Sequence, residues 1–207
     1  MKKQIKQTAT LMVLILCSVF LKLSVSYAQT TDVIVMDTSL GSVEIELYGN
    51  QAPITVGNFL ALIDGQHLDG GEIYRVVTYG NDNGSPKIEV IQGGLNDRAS
   101  PFVSIPHEST ELTGISHTDG VISMARGEVG TASSEFFICI GDQPGLDYGQ
   151  PRNADGQGFA AFGKVVRGMD IVRRIKQLGE DSSGGDGYTA GQILSEPLEI
   201  LSVRRKT

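Results

Sequence analysis

Arg75, Gln92 and the adjacent pair Phe136-Phe137 are the side chains whose types and settings can do chemistry. Arg75 lies in Ile73-Tyr74-Arg75-Val76, a short run with strand character. Gln92 lies in Ile91-Gln92-Gly93-Gly94, where two glycines let another backbone come close. The aromatic pair follows in Ser134-Glu135-Phe136-Phe137-Ile138. Neighbouring strand residues point to opposite faces, so when one ring enters a core the other faces outward. Taken singly, each is ordinary: a surface arginine, a core phenylalanine. Together they offer a donor, an amide and an aromatic surface. The chain has no metal-ligand spacing and no nucleophile elbow.

Other polar residues take blander readings. His67, His107 and His117 can be grouped with Ser123 and Asp119 on paper, but no motif supports a triad, and loop or surface histidines are expected. Asp181 and Asp186 lie in a glycine-rich stretch without EF-hand spacing, which reads as a solvated acidic loop. Cys139 sits in an apolar strand and reads as inert core.

Strands and turns must position these residues. Val43, Ile45 and Leu47 alternate with Glu44 and Glu46, and residues 33–37 precede them across the turn Thr38-Ser39-Leu40-Gly41, which predicts a hairpin. Further strands are expected at 73–77, 88–91, 121–125, 135–140, 160–166 and 198–203. Two segments have helical spacing instead. Val56, Phe59, Leu60 and Ile63 follow Pro53, and Ile171, Ile175 and Leu178 run from Asp170 to Gly179. Two helices cannot cover both faces of a large open sheet. A closed antiparallel barrel with a helix at each mouth fits the inventory. Loops are expected over 80–87, 142–157 and 180–191, with no repeat or domain linker.

Residues 1–28 read as a signal peptide. Lys2, Lys3 and Lys6 form a basic head, an apolar run covers 9–21, and Ser26-Tyr27-Ala28 supplies a small-residue cleavage site. Residues 29–207 then form one domain, exported to the periplasm or secreted, without stable membrane insertion after cleavage. The whole chain carries a net charge of −7, and removing a leader with four lysines and no acid makes it more acidic. No basic patch remains, which excludes nucleic acid as a partner. Only Cys139 would survive cleavage, so no intrachain disulfide is available.

The ordered segments Ile73-Tyr74-Arg75-Val76, Ile91-Gln92-Gly93-Gly94, Ser123-Met124-Ala125-Arg126, Glu135-Phe136-Phe137-Ile138, Phe162-Gly163-Lys164-Val165 and Gly168-Met169-Asp170 resemble the motifs of the cyclophilin-type peptidyl-prolyl isomerases, in family order. The resemblance implies a mainly β fold, a closed eight-stranded antiparallel barrel capped by two helices. It implies an isomerase acting without cofactor or metal on X–Pro bonds of unfolded or extended polypeptides, expected as a monomer. Arg75 would stabilise the twisted amide, Gln92 would contact substrate backbone and orient the arginine, and Phe137 would floor a proline pocket with Leu146 on its wall. Ala125 and Arg126 would line the neighbouring groove.

Several positions depart from the family pattern. Glu89 and Val90 stand where a Phe-Met pair usually walls the pocket, Glu135 replaces a glutamine, Phe159 a frequent histidine, and Gly145 a tryptophan of some members. Glu89 is expected to cost the pocket apolar area. Glu135 is expected beside Arg75, where it would orient the guanidinium or compete with substrate for it, so Glu135→Gln should raise the rate. These carboxylates sustain a second reading, a proline-peptide-binding module of the same fold with little catalysis.

Overall fold

The computed structural model describes residues 32–96 and 98–206; the leader expected over 1–28 lies outside them. Strands β1 (Asp32–Thr38) and β2 (Gly41–Leu47) form the expected hairpin. Thr38 Oγ1 closes its turn, donating to the Gly41 carbonyl at 2.8 Å and accepting from Leu40 N–H at 3.2 Å. Ile34 and Met36 on β1, and Val43, Ile45 and Leu47 on β2, are buried as alternation requires. The remaining strands are β3 (Gly71–Val77), β4 (Val90–Gly94), β5 (Val121–Met124), β6 (Phe136–Cys139), β7 (Ala160–Arg167) and β8 (Ile193–Arg205). All pairings are antiparallel, and the order β1-β2-β7-β5-β6-β4-β3-β8 closes on β1. Closure removes every unpaired strand edge. β8 begins five residues before the expected 198 because its first residues pair with β3, Arg75 opposite Ile193.

Helix α1 (Pro53–Asp64) closes one barrel end and α3 (Met169–Gln177) lies at the other; between them α2 (Thr110–Thr113) is one turn. Phe59 of α1 enters the barrel and meets Phe136 edge-on at 5.7 Å and Phe162 at 5.0 Å. Ala52 offers no side-chain cap to α1. The distant Glu108 supplies one, accepting from Ile54 N–H at 3.2 Å, Thr55 N–H at 2.8 Å and Thr55 Oγ1 at 2.7 Å. Both apolar stripes need correction. Leu62, not Leu60, is fully buried on α1; on α3 the buried residues are Val172 and Ile175, while Leu178 is exposed. Leu60 and Ile171 of the expected stripes pack against the same core while remaining partly buried.

Two apolar clusters result. One fills the barrel, Phe136 included. The other covers the outer face of β4 and β6 and contains Val77, Ile88, Val90, Phe137, Cys139 and Leu146, with Ala125 and Phe159 against it. The adjacent phenylalanines thus serve different clusters, one inside the barrel and one outside.

Candidate active site

Strand register brings the site together. Arg75 on β3 is opposite Gln92 on β4, Gln92 is opposite Phe137 on β6, and Phe137 is opposite Ser123 on β5. A cleft of about 630 Å³ opens over this row. Arg75, Gln92, Phe137, Val90, Ala125, Arg126, Leu146 and Phe159 of the expected site all line it. Phe137 is held from two sides. Phe159 meets it edge-on at 5.2 Å, and the ring of His117 stacks behind it at 5.9 Å.

Arg75 is fixed by two amides. Its Nη1 donates to Gln92 Oε1 at 2.9 Å, while Nε and Nη2 donate to Gln192 Oε1 at 3.0 and 2.6 Å. The Tyr188 ring lies 5.4 Å from the guanidinium carbon. Burial lowers the Arg75 pKa, Tyr188 and Tyr74 oppose that, and Arg152 adds to it. An arginine remains a cation throughout, so the site keeps a desolvated, oriented donor.

The register of both ladders shifts between Ile73 and Arg75, so Tyr74 is a bulge residue. A bulge re-aims side chains that would otherwise alternate. Here both neighbours reach one glutamine, since Gln92 Nε2 donates to Tyr74 Oη at 2.7 Å while its Oε1 accepts from Arg75.

Glu135 is not where the sequence reading put it. Its carboxylate accepts from Tyr74 Oη at 2.8 Å, Leu95 N–H at 2.8 Å and Ser134 Oγ at 3.3 Å, and it makes no hydrogen bond to Arg75. The bulge puts Tyr74 between them. The carboxylate lines a smaller cavity of about 220 Å³ beside the cleft, with Gln92 and Arg126. Burial raises its pKa above the usual carboxylate value, against the lowering effect of the donors around it. Gly94 makes room for it: φ is +150° there, and a Cβ would strike the carboxyl group.

Glu89 also needs correction, for it does not line the cleft. It faces α3 and pairs with Lys176 at 2.7 Å. Ile88 and Val90, on either side of it, supply the apolar wall, so the expected loss of apolar area does not occur. Gly145 has a simple cause: Pro86 occupies the space that a side chain at 145 would need. Arg126 lines both cavities, but its guanidinium is engaged by Asp155 at 2.7 and 3.0 Å and by the Gly158 carbonyl at 2.6 and 2.9 Å. That pair holds the Asp155 carboxyl down to about 2.

The histidine reading is overturned for His117, which is buried. Its Nδ1 lies 2.6 Å from Asp147 Oδ1 and its Nε2 3.0 Å from Ser123 Oγ. The partner is Asp147, whereas Asp119 caps the turn at Gly141 and pairs with Arg173. These atoms have the order of a nucleophilic triad, but Ser123 is 0 % exposed on β5, opposite Phe137, leaving no access for an acyl group. The set braces the aromatic floor. Cys139 is buried as expected, and burial pushes its thiol pKa far up.

Sequence reasoning missed the far wall. Arg152 and Tyr188 come from the loops expected over 142–157 and 180–191, Gln192 from the position just after the second, and Asp82 from the polar 80–87 segment. Arg152 donates twice to the buried Asp82, at 2.7 and 2.8 Å, and also to Tyr188 Oη. Asn83 Nδ2 donates to the Ala190 carbonyl at 2.9 Å, and Gln192 Nε2 to the Asn81 carbonyl at 2.9 Å. The two loops therefore form one wall, joined by contacts more than 100 residues apart in sequence. A tyrosine and a glutamine amid glycines were the signal, and only their neighbours give it meaning.

Fold and site define a class: a closed β-barrel protein with a cleft on its outer face, between an aromatic floor and a fixed arginine. The sequence profile of the "Cyclophilin type peptidyl-prolyl cis-trans isomerase/CLD" family matches residues 33–204, and the chain belongs to that family. It is 32% identical over 184 residues to peptidyl-prolyl cis-trans isomerase A of Dickeya dadantii, covering 87% of this chain and 88% of that one. It is 29% identical over 184 residues to a peptidyl-prolyl cis-trans isomerase of Acinetobacter baylyi, covering 88% and 89%. A Cryptosporidium parvum cyclophilin-type isomerase superposes with a TM-score of 0.65 at 18% identity, over 86% of this chain and 98% of that one, which shows a shared fold.

Proposed function

We propose that this isomerase accelerates X–Pro rotation in extended segments of exported polypeptides, with Arg75 as the catalytic donor and Phe137 as the floor for the proline ring. The observation that carries the reading is the row Arg75–Gln92–Phe137 beneath a single cleft. Rotation about an X–Pro amide destroys C–N resonance and meets a barrier of roughly 18–20 kcal/mol. Cis and trans lie close in energy, so a site need only favour the twisted state. Val90, Leu146 and Phe159 would hold the ring against Phe137, and the oriented guanidinium would donate to the pyramidal nitrogen or displaced carbonyl. Ala125 and the backbone beside it would align the chain, with the monomer as the working unit. Export rests on the basic head, apolar run and small-residue site of residues 1–28.

One experiment tests the reading. Protein is recovered from the periplasmic fraction, its first residue is read, and cis-to-trans relaxation of a short X–Pro peptide is followed with it and with Arg75→Ala. We expect Gln29 first, clear acceleration, and a loss of about 10²- to 10³-fold in kcat/KM for the variant, the usual effect of removing one transition-state donor. Binding of proline peptides without acceleration by either protein would leave the binding module instead. Protein found only in the cytoplasmic fraction, with Met1 first, would remove the export claim alone.

A further inference from the structure

The hydrogen bonds that end at Arg75 begin at Glu135, and they run in one sense. Arg75 is donor-only, so the Gln92 atom facing it must be Oε1. Gln92 Nε2 then faces Tyr74 and donates to its oxygen, and Tyr74 Oη must give its own hydrogen to the Glu135 carboxylate. An ionised carboxylate accepts only, so this end of the chain is fixed as well. Leu95 N–H, donating at 2.8 Å, supports the ionised form. A cation and an anion thus terminate a line of two neutral groups, each with its orientation forced.

We propose that Glu135 and Tyr74 are positioning residues for Arg75, holding Gln92 with its oxygen toward the guanidinium, and that protonation of Glu135 releases this arrangement. The proposal rests on the reading of Arg75 as the catalytic donor. A protonated Glu135 can donate to Tyr74 Oη, the phenol hydrogen is then free to turn toward Gln92 Nε2, and the amide is left with Arg75 alone to hold its orientation. Burial sets this change above the ordinary glutamate range. Other charged groups around Glu135 are already engaged. Arg126, across the smaller cavity, is paired with Asp155; Glu72 of β3 accepts from Asn96 Nδ2 at 2.8 Å; Arg98, beyond β4, is turned to the carbonyls of Asp69 and His67.

The test measures kcat and KM against pH for the natural protein, Glu135→Gln, Tyr74→Phe and the double variant, with the Gln92 side-chain amide followed by NMR. In the natural protein kcat should fall on the acid side with a midpoint above the usual glutamate pKa of about 4.3. Each single variant should lose about 5- to 10-fold in kcat at neutral pH with KM little changed, and lose that acid limb. The double variant should be no worse than the weaker single, since both cut one line. The Gln92 amide resonance should titrate with Glu135, and Tyr74→Phe should abolish that response. A raised KM at unchanged kcat would make Glu135 a peptide contact and overturn the proposal, as would a Gln92 titration unaffected by Tyr74→Phe. An inactive natural protein whose Gln92 amide still titrates through Tyr74 would sink the catalytic reading and leave the line of hydrogen bonds standing.

Discussion

Gln192 holds Arg75 by one oxygen that accepts two guanidinium N–H groups, and its Nε2 is anchored on the Asn81 carbonyl. A buried amide used this way sets where the guanidinium points without touching the cleft. Gln192→Ala should lower kcat/KM by about 10- to 100-fold, the loss of charge-assisted hydrogen bonds worth ~1.5–3 kcal/mol. Most of the change should fall on kcat, and steady-state kinetics checks it; a loss carried by KM alone would deny the positioning role. Arg75, Gln92 and Phe137 were legible in sequence because each sits in a strand motif of fixed order. Gln192 and Tyr188 were not, because a glycine-rich loop carries no periodicity from which a direction can be read. The Glu135 reading failed for a related reason: proximity in a motif says nothing of a bulge that interposes Tyr74.

At the scale of elements, α1 depends on a cap from outside itself. Pro53 opens the helix and Ala52 cannot close its free N–H groups, so Glu108 does so across 53 and 54 residues. Glu108→Ala should cost about 1–3 kcal/mol, the penalty for buried donors left without a partner. Thermal denaturation reads this as a lower Tm, and Thr55→Ala in the same background should cost less than it does alone. A Tm unchanged by Glu108→Ala would mean that water caps the helix equally well. Strand positions were legible through alternation, since a barrel strand has one buried and one outer face. Helix stripes were read less well, because a helix seated on a barrel end buries whichever sector the strand ends present.

For the molecule as a whole, acid stability follows from how its carboxylates are held. Burial works against ionised Asp82 and Asp147, yet Arg152 and backbone N–H groups hold the first below its ordinary value, and the His117 ring and N–H hold the second. Arg126 brings Asp155 to about 2. The folded protein therefore binds fewer protons than the unfolded chain, whose aspartates titrate near 3.9, so stability rises with pH through that window and is lost below it. Glu135 works the other way, because its raised value lets the folded state take up a proton first. Lys206, Arg205 and Arg204 likewise lower Glu44, Asp64 and Asp69, so among the described residues six depressed carboxylates against one raised leave a net loss in acid. Tm should be level above about pH 5 and fall steadily below about pH 4, and Asp155→Asn should flatten part of that fall. A Tm constant from pH 5 to below about 3 would contradict this account.

The sequence by itself determined the barrel, its two helices and the family, because alternation, helical spacing and motif order are local properties that survive without a partner. It also marked Arg75, Gln92 and Phe137. Only the tertiary structure decided how they are aimed. Register set the three in one row, a bulge at Tyr74 turned two neighbours onto one glutamine, and two distant loops met to bring Gln192 and Tyr188 against the arginine. The reason is physical: a hydrogen bond forms between groups that folding brings within about 3 Å, whatever their separation along the chain. Glu135 lies 60 positions from Arg75 and influences it only through that geometry.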